Sequence, residues 1–205
     1  IKIMINKTVY KQNGDKYYVD GAFVSYHFEE HEIYEHWKWM NLLISCLCKL
    51  AKEEKATFKK ITEGLENSYS LSLLNVLVHC YLNDYINYLD ESFNLIIRNG
   101  LINSFKENYY GSYELRELIN KIYPHLQEKQ KQIINEIFIS FKINNEDEIY
   151  SGDRIKYRGY PKYELLGLIP KEEIMKYPEV YKELLELERK FGGEYKNKKP
   201  NQTRA

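Results

Sequence analysis

The sequence predicts an all-α protein, and two observations support this fold class. From residue 36 onwards, apolar residues recur at intervals of three and four, which is the period of an amphipathic helix. Asn, Gly and Pro separate these periodic stretches, as expected for turns. We predict a β-hairpin and linker in residues 1–35, a helical-repeat domain in 36–143, a loop and C-terminal capping helices in 144–192, and a mobile tail in 193–205.

The N-terminal segment Thr8–Tyr26 differs from the rest because it favours extended structure. Val9 and Tyr10 precede Asn13-Gly14, and Tyr17-Val19 follow. Asn-Gly between β-favouring runs predicts a hairpin, since both residues tolerate positive φ.

Helical periodicity begins at His36, where one apolar stripe includes Trp37, Met40, Leu43, Ile44, Leu47, Leu50 and Ala51. A shorter helix follows at 56–65. Ser70 is a candidate N-cap for the next helix, which extends to Tyr81 and has a predicted buried face of Leu73, Leu74, Leu77 and Val78. Asn83-Asp84 interrupts this pattern before it resumes at 85–97.

Two further helices are predicted before residue 143. Ser112 is the predicted N-cap of the first helix, and Pro124 either ends that helix or opens the second one. The second helix has a predicted apolar face of Ile133, Ile134, Ile137, Phe138 and Phe141. The helices thus form three pairs, at about 36–67, 70–99 and 112–143, spaced by roughly 40 residues as in α-solenoids. A HEAT/TPR-like solenoid and an irregular antiparallel bundle both fit this spacing.

The C-terminal third has a different pattern. Residues 144–159 are polar and lack a helical period, so we predict a loop. Pro161, Pro170 and Pro178 punctuate the following segment, and the last helix carries Val180, Leu184, Leu187 and Phe191. Gly192 is its predicted C-cap.

Composition narrows the class of function. Lys+Arg and Asp+Glu both number 30, so the net charge is zero, which argues against a general nucleic-acid binder. The three cysteines are an odd and sparse set, which does not make a disulfide framework and fits the reducing cytoplasm. No apolar run is long enough for a transmembrane helix, so no membrane partner is expected.

A metal-dependent hydrolase is an alternative that rests on histidines near the first helix. His27, His31 and His36 lie among four glutamates, and such side chains can bind zinc. His31 and His36 are five apart, however, which places them about 140° apart around a helix. His27 and His31 have the separation of four that a zinc pair on one helical face needs. They straddle the expected junction between hairpin and helix, however, so a polar helix entry is the favoured interpretation.

Neither the cysteines nor the histidine beside one of them has the spacing of a reactive site. Cys46 and Cys48 are two apart rather than three, which is neither a redox nor a zinc motif. His79 adjoins Cys80, but neighbouring helical positions point about 100° apart. All three cysteines are therefore predicted to be core or boundary residues.

A second alternative is a single-stranded nucleic-acid binder that uses the stretch from Arg154 to Lys171. Basic residues there, Arg154, Lys156, Arg158, Lys162 and Lys171, alternate with Tyr157, Tyr160 and Tyr163. Cationic and aromatic side chains together can bind single strands. The zero net charge favours a simpler interpretation, in which the tyrosines pack and the lysines are solvated.

One segment resembles a known family. It reads RGYPKYELLGLIP from Arg158 to Pro170, followed by Glu183-Leu184 and Glu186–Gly192. It resembles the extreme C-terminus of bacterial STAND-class NTPases of the antiviral-sensor type. Upstream, Gly21, His27, a helix ending at Leu50-Ala51 and the run Phe58–Ile61 follow the order of these proteins.

This resemblance implies a place in a larger protein. In such proteins an effector and an ATPase precede a helical-repeat sensor that binds a foreign protein, such as one from a phage, and oligomers form through the ATPase. The chain would be the end of the sensor, and its first residue, Ile rather than Met, agrees with a partial chain. Walker motifs are missing, so no nucleotide site and no catalytic residue carry over.

The leading hypothesis is therefore a non-enzymatic, cytoplasmic module that needs no cofactor and binds another protein. Exposed aromatic side chains would be its anchors. For Trp39, core or interhelical packing is the stronger expectation. The candidates are chosen because they are expected at helix ends or in loops: Trp39, Tyr69, Tyr85, Tyr109, Tyr110 and Tyr157.

Overall fold

The all-α prediction is confirmed for the part of the chain that the structure describes. The computed structural model describes residues 35–68, 71–98, 100–103, 105 and 113–197. Helices account for 79% of these residues, and no strand occurs among them. The predicted N-terminal hairpin, the caps Ser70 and Ser112, and the tail from residue 198 lie outside the described residues.

The helices follow one another with short connections. The α-helices are α1 (Glu35–Glu53), α2 (Lys55–Thr62), α3 (Leu71–Asn83), α4 (Leu89–Phe93), α5 (Tyr113–Ile122), α6 (Glu128–Ile139), α7 (Glu146–Ile149), α8 (Tyr160–Leu166), α9 (Lys171–Ile174) and α10 (Pro178–Phe191). Short 3-10 helices lie at Leu65–Asn67, Tyr85–Tyr88, Leu101–Asn103, Tyr123–His125 and Gly152–Tyr157, and a π-helical turn lies at Asn94–Arg98.

The described chain divides into two compact units between Tyr88 and Leu89. This boundary falls inside the single helical domain expected at 36–143. Within the first unit α1 packs on α2 and α3, and within the second α8 packs on α6 and α10.

The first unit is built around α3. Leu73, Leu74, Leu77 and Val78 are buried as predicted, and Val76 is buried with them. Because three consecutive positions, 76–78, are buried, α3 is covered on more than one side. α1 contributes the buried stripe of Met40, Ile44, Leu47 and Ala51, which confirms the predicted period at these four positions. Leu43 and Leu50 are half-buried, and the burial of Trp37 lies outside what the structure describes.

The helix predicted at 85–97 is not a continuous α-helix. A 3-10 helix, α4 and a π-helical turn succeed one another between Tyr85 and Arg98. The break at Asn83-Asp84 is confirmed, and Asn87 donates hydrogen bonds to the Asp84 carboxylate at 3.0 Å. The Tyr88 hydroxyl donates a hydrogen bond to the Ala51 carbonyl at 2.8 Å. The apolar period of the sequence does not predict this contact.

In the second unit, the buried face of α6 differs from the prediction. Ile134 and Phe138 are buried as expected, but Lys131 and Asn135 are buried beside them. Ile133 and Ile137 are only half-buried. Polar partners account for the difference, because Lys131 is paired with Glu173 and Asn135 accepts a hydrogen bond from the Tyr123 hydroxyl at 2.8 Å. α5 buries the four residues predicted for it, Leu115, Leu118, Ile119 and Ile122.

The segment 144–159, predicted to be a loop, contains α7 and the 3-10 helix Gly152–Tyr157. Three acidic residues occupy the first turn of α7, where the positive end of the helix dipole favours them. Helices of four and six residues are too short to leave a periodic apolar pattern, so the sequence did not reveal them.

The three prolines of the C-terminal segment mark helix starts. Pro161 is the second residue of α8, Pro170 directly precedes α9, and Pro178 opens α10. Proline suits these positions because the first turn of a helix does not need its N–H. Gly192, at φ 86°, ends α10 in the left-handed conformation, which confirms the predicted cap.

The first residues of the predicted tail, 193–197, make specific contacts within the second unit. The Tyr163 hydroxyl donates to the Gly193 carbonyl at 2.7 Å, and Asn197 donates to Glu117 at 2.6 Å. Tyr195 lies directly over Gly167, whose missing side chain leaves it room.

Gly167→Ala should displace this segment. The added Cβ would lie 2.4 Å from the Tyr195 Cβ and 2.8 Å from its Cγ. Such overpacking costs about 1–3 kcal/mol. We expect faster amide hydrogen exchange across 193–197 in this variant. A chain truncated after Gly193 lacks the same contacts and should show faster exchange in the neighbouring residues of α8. Unchanged exchange in Gly167→Ala would contradict the packing described here.

Candidate protein-binding surface

The first helix exposes large apolar side chains on the face opposite to its buried stripe. Trp39 is 70% exposed and Leu42 is 54% exposed. Cys46 is exposed as well, so the prediction that it is a core or boundary residue is wrong. Intervals of three and four residues place these side chains on one side of α1, and we call the three residues the α1 outer stripe.

The fold of the first unit holds this stripe in place. Met40, Ile44 and Leu47 fix the other side of α1 against α2 and α3. Further along the exposed side, Lys49 and Glu53 lie at an ion-pair distance of 4.0 Å. An apolar centre that grades into charged residues is the arrangement found at protein interfaces.

The remaining predicted anchors are placed differently. Tyr157 is 47% exposed, whereas Tyr85 is half-buried. Tyr69, Tyr109 and Tyr110 lie outside the described residues. For Trp39, the expectation that it packs between helices is wrong in the described chain, since its indole is largely exposed.

Sequence reasoning missed Leu42, although a signal for it was present. Leu42 and Leu43 are adjacent, so only one of them can follow the buried period of α1. Leu43 does so and is partly buried, which leaves Leu42 outside.

A second group of exposed apolar residues surrounds Tyr157 in the second unit. Ile155 is exposed two residues earlier, and Tyr160 three residues later. Tyr160 packs edge-on against Phe191, with ring centroids 5.2 Å apart, and the Lys156 ammonium lies 5.1 Å from the Tyr157 ring centre. These contacts occupy part of the aromatic surface and make this group a weaker candidate than the α1 outer stripe.

The basic stretch from Arg154 to Lys171 is partly neutralised. Arg158 pairs with Asp147 at 2.9 Å, and Lys162 pairs with Glu183 at 2.9 Å. Arg154, Lys156 and Lys171 are exposed. Two of the five cations of this stretch thus have carboxylate partners, which weakens it as a track for phosphates.

The histidines on which the metal-dependent alternative rests, His27 and His31, lie outside the described residues. Within the described ranges, His, Cys, Asp and Glu side chains nowhere gather in groups of three or more that could hold a metal ion. His79 is among these residues, and burial lowers its pKa to about 4, so its imidazole is neutral at pH 7. None of the described helices is both long and apolar enough to cross a bilayer.

The second unit also contains a buried polar network that the sequence did not predict. Lys131 is 5% exposed and Glu173 8% exposed, and their charged groups are 2.7 Å apart. Glu173 also accepts a hydrogen bond from Lys176 at 2.6 Å. Hydrogen bonds from Lys131 and then Lys176 lower the pKa of Glu173, and burial raises the pKa of Tyr123 beside them to about 12.

Hydrogen bonds within the second unit occupy these polar groups. The Glu173 carboxylate is committed to two ammonium groups, and the Tyr177 hydroxyl donates to Glu128 at 2.6 Å. The pKa values of Glu173 and Tyr123 are both shifted away from pH 7, whereas a general acid or base works best with a pKa near the operating pH.

Comparison of the chain with protein-family models, with curated proteins and with solved structures finds no match in any of the three.

Proposed function

We propose that this chain is a non-enzymatic, all-α recognition module that binds another protein through the α1 outer stripe. One observation carries the proposal: Trp39 and Leu42 are both exposed on a helix whose other side supplies the buried Met40, Ile44, Leu47 and Ala51. Apolar side chains scattered singly on a surface need no explanation, but neighbouring ones on a rigid helix favour an interface.

The chemistry of the stripe suits a protein partner. An indole offers a large apolar area with one N–H donor, and tryptophan is among the side chains that most often dominate binding energy. Because α1 is already ordered by its core contacts, little conformational entropy is lost when a partner covers Trp39 and Leu42. An apolar groove that receives a helix face would satisfy both side chains.

The resemblance of Arg158–Gly192 to STAND-class NTPases supports a more specific form of this proposal. In this form the chain is the C-terminal part of a helical-repeat sensor, arranged as a solenoid, which acts in the cytoplasm and binds a foreign protein such as one from a phage. Oligomers would form through the ATPase of the parent protein. Extending the reading frame upstream tests this form: an in-frame ATPase with Walker motifs supports it, and a different domain there overturns it.

Site-specific photocrosslinking tests the recognition surface itself. A benzophenone amino acid at position 42 should capture a discrete protein in infected or uninfected cells. The same probe at position 60 is the control, because Lys60 is exposed in the same unit but lies on α2. Equal capture at both positions, or capture at neither, would contradict the proposed surface.

A further inference from the structure

Two cysteines that are 32 residues apart in the chain meet inside the first unit. The sulfur atoms of Cys48 on α1 and Cys80 on α3 are 3.7 Å apart, at hydrogen-bond distance. The S–S bond of a disulfide measures about 2.05 Å, so an approach of about 1.7 Å would join them. Cys46 is exposed and points about 160° away from Cys48 around the helix.

The two thiols differ in access to solvent and in acidity. Cys48 is partly exposed, whereas Cys80 is buried. Hydrogen bonding to Cys80 lowers the pKa of Cys48, and hydrogen bonding to Cys48, together with burial, raises the pKa of Cys80. Cys48 therefore ionises first, and the Cys80 thiol can then donate its proton toward the Cys48 thiolate.

We propose that Cys48 and Cys80 form an oxidation site at which a hydroperoxide converts the thiol pair into a disulfide between α1 and α3. The geometry supplies the requirements of a two-cysteine sensor, namely an accessible attacking sulfur and a second sulfur in contact with it. The proposal does not depend on the α1 outer stripe or on any partner protein.

The reaction balances in two steps. The Cys48 thiolate attacks the peroxide, the O–O bond breaks, and Cys48 becomes a sulfenic acid while the alkoxide or hydroxide leaving group takes up a proton. The Cys80 sulfur then attacks the sulfenic sulfur and displaces hydroxide, which leaves as water with the Cys80 proton. Two thiols are oxidised to one disulfide, and one hydroperoxide is reduced to an alcohol or water.

Hydrogen peroxide and the reduced, folded chain are enough for the test. Of the three thiols per chain, one should remain after treatment, with a mass loss of about 2 Da for the two hydrogens removed. Peptide mapping should recover the peptides of Cys48 and Cys80 joined. The linkage should form at least about tenfold faster than in the same chain unfolded in urea, because the fold holds the sulfurs together.

Cys46→Ser is the matched control and should keep the linkage, whereas Cys48→Ser and Cys80→Ala should abolish it. Circular dichroism establishes whether each variant is folded. If Cys80→Ala does not fold, peptide mapping of the wild-type chain still decides whether Cys48 and Cys80 become joined. Oxidation of Cys46 ahead of the pair, or conversion of Cys48 to sulfinic acid while Cys80 stays reduced, would overturn the proposal.

Discussion

Replacing Tyr88 by alanine should lower the free energy of unfolding of the first unit by about 3–5 kcal/mol. Tyr88 is fully buried, and its ring stacks on Tyr81 with centroids 5.0 Å apart. Phe58 meets the same ring edge-on at 5.6 Å. Truncation would leave a cavity at the centre of this aromatic cluster and remove the hydroxyl that donates to the Ala51 carbonyl.

Tryptophan fluorescence during urea unfolding measures this effect, because both tryptophans of the chain, Trp37 and Trp39, belong to the first unit. Tyr88→Phe should cost about 1–2 kcal/mol, since it removes only the donor to a buried carbonyl. Ile86→Ala truncates an exposed side chain of the same 3-10 helix and should stay within about 0.5 kcal/mol. A Tyr88→Ala chain within about 1 kcal/mol of wild type would contradict the packing described.

Replacing Glu173 by leucine should destabilise the second unit by about 3 kcal/mol or more. The change leaves the buried Lys131 ammonium with Glu128, a partner 3.9 Å away and largely exposed. Glu172→Leu is the matched control, because Glu172 is the exposed neighbour in α9. Hydrogen exchange of the amides of α6 and α9 measures the loss within this unit.

A double variant separates loss of the ion pair from loss of packing. Lys131→Met with Glu173→Leu removes both charges and should recover most of the stability, because an apolar pair of similar volume replaces a buried ion pair at little cost. A double variant that is less stable than Glu173→Leu alone would show that the charges themselves hold these helices together.

The same pair has a defined pH dependence. The pKa of Glu173 is lowered in the folded chain, so the stability that it supplies is fully present above its unfolded pKa of about 4.3 and is lost as the pH falls through the lower folded pKa. The difference between wild type and Glu173→Leu should therefore be constant above about pH 5 and shrink in more acidic solution.

Periodicity predicted the parts of the fold that depend on one helix at a time. The buried faces of α3 and α5 follow from apolar residues at intervals of three and four, and the end of α10 follows from Gly192. Such features need only the geometry of a single helix.

Features that depend on two helices were not predictable in this way. The approach of Cys48 to Cys80 needs the relative register of α1 and α3, which neither apolar pattern specifies. Lys131 and Glu173 are 42 residues apart, and a lysine is normally assigned to the surface unless its partner is known. For the candidate site, Trp39 was named as a candidate anchor from the sequence, although packing was the stronger expectation for it. Leu42 was not named, although the pattern around Met40 leaves it outside the buried stripe.

The affinity of the crosslinked partner for the purified chain is the most direct test of protein recognition by the α1 outer stripe. Trp39→Ala should raise the dissociation constant by at least about 30-fold, which corresponds to the roughly 2 kcal/mol that defines a dominant interface side chain. Lys60→Ala should leave it within about twofold. A Trp39→Ala chain that folds like wild type and binds the partner with unchanged affinity would contradict the proposed function.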